Sequence, residues 1–221
     1  MTQRGDALIE VLKESDIDAV AADRAANELL REIFHGYPAG KLVDLIHSDN
    51  DQAVRSGAWI LSELGAEAAQ LSDEIAFLLQ HSVRNARFFA LDAVLTSASE
   101  ENGPLIAQAV MLIADPDSAV RWKALQFLSD AAPDQLMAAR KYLSADQISA
   151  SVRWLIGDPE NPIYQREVLG RLEDHDKMSR MFAAAAAARI ANSYQEAIGR
   201  ASKSDDPDIR DFARDRLAVR K

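Results

Sequence analysis

DPDSAVRWKA, residues 115–124, is the clearest copy of a phrase that recurs along this chain. It has an aspartate, a second aspartate two residues on, an apolar residue directly before an arginine, and a small residue three after it. The phrase returns as DNDQAVRSGA (49–58), HSVRNARFFA (81–90), QISASVRWLI (147–156), DHDKMSRMFA (174–183) and SDDPDIRDFA (204–213). Its arginines, Arg55, Arg87, Arg121, Arg153, Arg180 and Arg210, stand 32, 34, 32, 27 and 30 residues apart. Self-similarity at a period near 30 residues marks stacked structural units, each burying its apolar face on the next. The fold class that follows is an all-α solenoid.

Outward from the phrase, helix signals fall in pairs. Residues 41–47 pair with 52–64, 66–80 with 84–99, 104–114 with 118–130, 133–143 with 146–156, 163–172 with 177–192, and 194–201 with 208–219. Pro104 and Pro133 stand at helix starts, where a missing N–H costs nothing, and Gly65 follows a helix as a C-terminal cap. Ahead of these lie two amphipathic segments, 5–14 and 17–34. Leu8, Val11 and Leu12 give one helical face, and Leu29, Leu30 and Ile33 another. Arg24 precedes Arg55 by 31 residues, so this region reads as a degenerate first unit. The expected plan is a single domain over 1–221, with a cap at 1–37 and repeats at 38–221.

The phrase has a physical reason. Asp51, Asp117, Asp176 and Asp206, four before the arginine, are placed to cap exposed N–H groups at a helix start. Ala58, Ala90, Ala124, Ala183 and Ala213, three after it, let two helices approach closely. Val54, Ala86, Val120, Val152 and Ile209 share that alanine's face.

Composition narrows function by exclusion. The chain contains no cysteine, which removes disulfides, thiolate metal sites and cysteine nucleophiles. There is no Gly-rich phosphate loop, nucleophile elbow or HExxH. Only His35, His47, His81 and His175 are present, none at metal spacing, so no metal and no cofactor are expected. No apolar run is long enough to span a membrane and no leader is recognisable, so a cytoplasmic location is expected. A formal net charge of −10 opposes phosphate backbones and favours cationic partners.

DPDSAVRWKA and SDDPDIRDFA resemble the inter-helix turn and second-helix start of HEAT repeats, and the resemblance covers roughly residues 38–221. It implies a right-handed α-α superhelix of about six hairpins after an N-terminal helix pair. It also implies an aspartate–arginine ladder joining neighbouring units, here Asp49/Arg55, Asp115/Arg121 and Asp174/Arg180. His81, Gln147 and Ser204 supply no acid beside Arg87, Arg153 and Arg210, so the ladder is incomplete.

At 100° per residue, with the core between positions minus one and plus three, position plus one falls on the far side. Phe88, Trp122, Trp154 and Met181 occupy it in four successive units. By the resemblance, second helices line a concave groove, where these residues would form an apolar stripe with Asp92 and Asp158 beside it. The competing assignment is packing against the adjacent helix. The expected function is a non-enzymatic, monomeric protein-binding solenoid. It would capture a basic protein partner in that groove, as an adaptor or as an immunity- or antitoxin-like protein. The alternative is an enzyme resembling HEAT-like DNA glycosylases, with Trp122, Trp154 and Asp158 in the groove.

Overall fold

The computed structural model describes residues 2–143 and 146–219. Among these the chain is helical with connecting turns, and no strand occurs. Contacts divide it into two compact units, Met1–Ala98 and Ser99–Lys221.

Unit 1 holds α1 (Thr2–Lys13), α2 (Ala19–Phe34), α3 (Val43–Ile46), α4 (Asp51–Glu63), α5 (Ser72–Leu79) and α6 (Arg84–Ser97). The second helices α2, α4 and α6 form one layer, and α1, α3 and α5 lie beneath them. The segment read as one helix over 41–47 begins as a 3-10 turn, Ala39–Leu42, and 66–80 likewise begins as one, Gly65–Leu71. Gly65 stands at φ +56°, the left-handed geometry of a glycine closing a helix. The degenerate first unit is a full hairpin. The loop after α2 lays Tyr37 on Gly5, where a Cβ would come within 2.3 Å of the ring, and the Tyr37 hydroxyl donates to Asp6 at 2.8 Å.

The cap of α4 differs from expectation. Asn50, not Asp51, accepts from Gln52 N–H at 2.9 Å. The amide of Asn50 also donates to the carbonyls of Lys13 and Glu14 at 3.3 and 3.1 Å. A carboxylate could not do both, because it has no donor.

Unit 2 holds α7 (Gly103–Met111), α8 (Ser118–Asp130), α9 (Pro133–Arg140), α10 (Asp146–Leu155), α11 (Pro162–Leu172), α12 (Lys177–Arg189), α13 (Gln195–Ala201) and α14 (Pro207–Ala218). Asp117, Asp176 and Asp206 cap α8, α12 and α14 through their side chains. The order of packing is less regular than in unit 1, since α12 and α14 both lie directly on α8. Helix α12 is touched by α8, α10, α11, α13 and α14, and every residue from Met181 to Ala188 is buried. A helix enclosed on all sides is apolar all round, and alanine is the side chain that lets five neighbours come close.

The repeated apolar positions face the core in both units. Ala58, Ala90, Ala124, Ala183 and Ala213 have no exposed surface, and Val54, Ala86, Val120, Val152 and Ile209 have at most 1%.

Candidate functional site

Three arginines of the phrase, Arg87, Arg121 and Arg180, bond the backbone. Arg121 Nη1 donates to the carbonyls of Asp115 and Pro116 at 2.8 and 2.9 Å. Arg180 Nη1 reaches Asp174 O and His175 O at 2.8 and 2.9 Å. Arg87 Nη1 reaches His81 O and Ser82 O at 2.7 and 3.1 Å. Each arginine thus clamps the turn ahead of its own helix through the carbonyls six and five residues back. That explains why His81 can stand where other copies have aspartate. The aspartates at minus six support the same turn: Asp115 and Asp174 accept from the N–H of Asp117 and Asp176 at 2.8 and 3.0 Å.

The ion pairs between helices go elsewhere. Arg121 forms a two-pronged pair with Asp208 at the start of α14, at 2.9 and 3.1 Å, and Lys177 Nζ reaches the same carboxylate at 2.8 Å. Arg180 approaches Asp206 at 3.5 Å. Burial alone would push the Asp208 carboxyl up, but hydrogen bonds from Arg121 and Lys177 outweigh it and hold Asp208 below its ordinary range. Asp49 is exposed, and Arg55 pairs with Asp23 of α2 instead. Arg153 is exposed, and Arg210 turns to Asp211 at 3.2 Å.

The apolar stripe is not assembled as expected. Met181 is 1% exposed and cannot line a groove, because α12 has neighbours on every side. Trp154 is half-buried and lies against α11. Its indole N–H donates to Glu167 at 3.0 Å, the Arg171 guanidinium sits 4.1 Å from its ring centre, and the Tyr164 ring is 5.4 Å away. Trp154 and Asp158 do share a shallow cleft of about 390 Å³ with Arg153, Tyr164 and Glu167, and Trp122 is not among its lining residues. Asp158 accepts from the Glu160 N–H at 2.9 Å, which ties it to its own turn. Trp122 is half-buried on α8, with the Lys123 ammonium 5.9 Å from its ring. Phe88 and Asp92 are half-buried on α6.

Unit 1 contains a further cleft, at residues that, Arg55 apart, the sequence reading did not single out. A cleft of about 340 Å³ opens on the layer of second helices, lined by Asp23, Ala26 and Asn27 of α2, Arg55, Ser56 and Trp59 of α4, and Phe89 of α6. Trp59 and Phe89 are half-buried, and Asp23 and Asn27 are exposed. Phe88 meets Phe89 edge-on at 5.5 Å, so α6 presents an aromatic pair beside the cleft. The Trp59 indole N–H has no hydrogen-bond partner among the described residues. Asn27 donates to Asp23 O at 2.7 Å, leaving its side-chain oxygen as an acceptor.

The reason this site was missed is geometric. A second helix flanked on both sides keeps only a narrow open strip. In α4 that strip runs through Arg55 and Trp59, while Ser56 and Ile60 are 4% and 0% exposed. Positions zero and plus four are therefore open there, not plus one and plus five. A tryptophan four residues after an arginine, one turn along the same face, was the signal available.

No family model and no curated protein matches the chain. Solved structures do. An engineered protein from the Northeast Structural Genomics Consortium is 16% identical with a TM-score of 0.52, covering 99% of this chain and 98% of that one. A second engineered protein from the same consortium is 19% identical with a TM-score of 0.49, covering 99% and 96%. The archaeal HEAT-like repeats protein from Thermococcus onnurineus NA1 is 12% identical with a TM-score of 0.49, covering 97% and 96%. At such identities the likeness is one of fold alone. The chain has an all-α helical-repeat fold.

Proposed function

We propose that this chain is a non-enzymatic binding scaffold whose unit 1 takes a basic segment of another protein in the cleft between α2, α4 and α6. The observation that carries this reading is the open aromatic cleft itself, with Trp59 and Phe89 half-buried beside an exposed carboxylate. Aromatic anchors in a small pocket with a polar rim are the usual centre of a protein interface. Charge gives the sign of the partner. Unit 1 holds 16 Asp and Glu against 8 Lys and Arg, so −8 of the chain's −10 lies there. Such a field draws cationic segments and speeds their encounter. An immunity- or antitoxin-like role, in which an acidic protein covers a basic one, fits the same arrangement, as does an adaptor.

The test uses a short peptide alternating leucine and arginine, titrated calorimetrically into the full chain. Trp59→Ala and Phe89→Ala are each expected to weaken binding about tenfold, the scale of an interface hot spot. Binding is also expected to weaken between low salt and about 0.3 M salt, where surface charges are screened. Unchanged affinity in both variants would overturn the reading. So would tighter binding to duplex DNA than to the peptide, which would favour a glycosylase-like role.

A further inference from the structure

The pair Arg55–Asp23 at the rim of the cleft is longer and far more open to water than the pair Arg121–Asp208. Arg55 Nη2 stands 3.3 Å from Asp23 Oδ1 and its Nη1 stands 3.3 Å from Gln52 Oε1. Charge-assisted contacts normally close to about 2.7–2.9 Å, and Arg121 reaches that range on both its turn and Asp208. Among the described residues Arg55 does not clamp its turn as Arg87, Arg121 and Arg180 do. Its side chain is 34% exposed and that of Asp23 is 61% exposed, and an ion pair this open to water holds weakly. Around it the cleft offers the Asp23 carboxylate, the Asn27 side-chain oxygen, and the faces of Trp59 and Phe89.

These are the elements that seat a guanidinium: a carboxylate for its planar fork, and aromatic faces for its charge and its stem. We infer that Arg55 is a resident stand-in for a ligand, and that an arginine side chain of the bound segment replaces it at Asp23. The proposal rests on the cleft reading above and sharpens it in two ways. The recognised group is arginine rather than lysine, and Arg55 competes with the partner rather than binding it.

The experiment compares the leucine–arginine peptide with its leucine–lysine counterpart on the wild-type chain, Arg55→Gln, Asp23→Asn and Trp59→Ala. Both rim residues are on the surface, and thermal melts confirm folding of each variant. Arg55→Gln is expected to tighten the arginine peptide about fivefold by removing the competitor. Asp23→Asn is expected to weaken it about tenfold and to erase the preference over lysine, since the carboxylate fork is lost. If Arg55→Gln weakens binding, Arg55 is a ligand and the inference is overturned. If Trp59→Ala weakens binding but neither rim variant changes it, the cleft stands and the replacement of Arg55 is wrong. If Trp59→Ala is also without effect, both readings fall.

Discussion

Asp208→Ala is expected to lower the free energy of unfolding by about 3 kcal/mol. The side chain of Asp208 is 5% exposed and faces two cations, Arg121 at 2.9 Å and Lys177 at 2.8 Å. Removing one partner of a buried ion pair costs about 3–5 kcal/mol, mostly because the remaining charge is left without compensation. The lower end applies because Lys177 is 48% exposed and keeps much of its hydration. The position is also topological, since Arg121 belongs to α8 and Asp208 to α14, 87 residues apart in sequence. Chemical denaturation of the variant and the parent checks the figure, and a loss below about 1 kcal/mol would show that the pair contributes little.

The same group sets a pH dependence whose sign follows from its lowered pKa. A carboxyl held lower in the folded state than in the unfolded chain stabilises the fold above its unfolded pKa, near 3.9. That contribution is lost as pH falls through the folded value. Below about pH 4 the wild type should therefore lose stability faster than Asp208→Asn. Parallel curves would contradict the assignment.

Arg189→Met is expected to cost about 2–3 kcal/mol. Arg189, on α12, sends Nη1 to three carbonyls at the end of α8, those of Leu128, Ser129 and Ala131, at 3.0, 3.3 and 2.7 Å. The last carbonyls of a helix have no partner within it, and a cation there also meets the negative end of the helix dipole. Burial pulls the guanidinium below its ordinary pKa, while nearby Asp130 pulls the other way. Methionine keeps the packing of the stem but leaves the carbonyls unpaired at a half-buried site. Arg189→Lys should recover part of the loss, because one ammonium can serve some of the three acceptors. If Met and Lys variants melt together with the wild type, the carbonyl cap is not holding α12 to α8.

Much of the fold could be read from the phrase because its residues act locally. Asp117, Asp176 and Asp206 cap their own helices, Gly65 closes its own, and the alanines that follow five of the six arginines are buried in the core. What could not be read depends on neighbours distant in sequence. Periodicity gives the core face of a helix but not how many helices flank it, so Met181 looked open until α12 proved to be enclosed. Trp154 faces Glu167 and Arg171 because α11 follows α10 closely, which no spacing within α10 reveals. Arg121 and Arg180 were expected to meet carboxylates six residues back, and they bond the backbone carbonyls there. Side-chain identity in a sequence carries no sign of a backbone acceptor. Trp59 escaped because the open strip of α4 runs through positions zero and plus four, while Phe89, two residues after Arg87, stands off both patterns.

The chain's three tryptophans allow a direct test of where a partner sits. In an isotope-labelled sample the indole N–H signals of Trp59, Trp122 and Trp154 report on α4, α8 and α10 separately. Titration with the leucine–arginine peptide should move the Trp59 signal furthest, together with the backbone signals of Asp23 and Phe89. Movement at Trp122 or Trp154 with Trp59 left in place would contradict a docking site in unit 1.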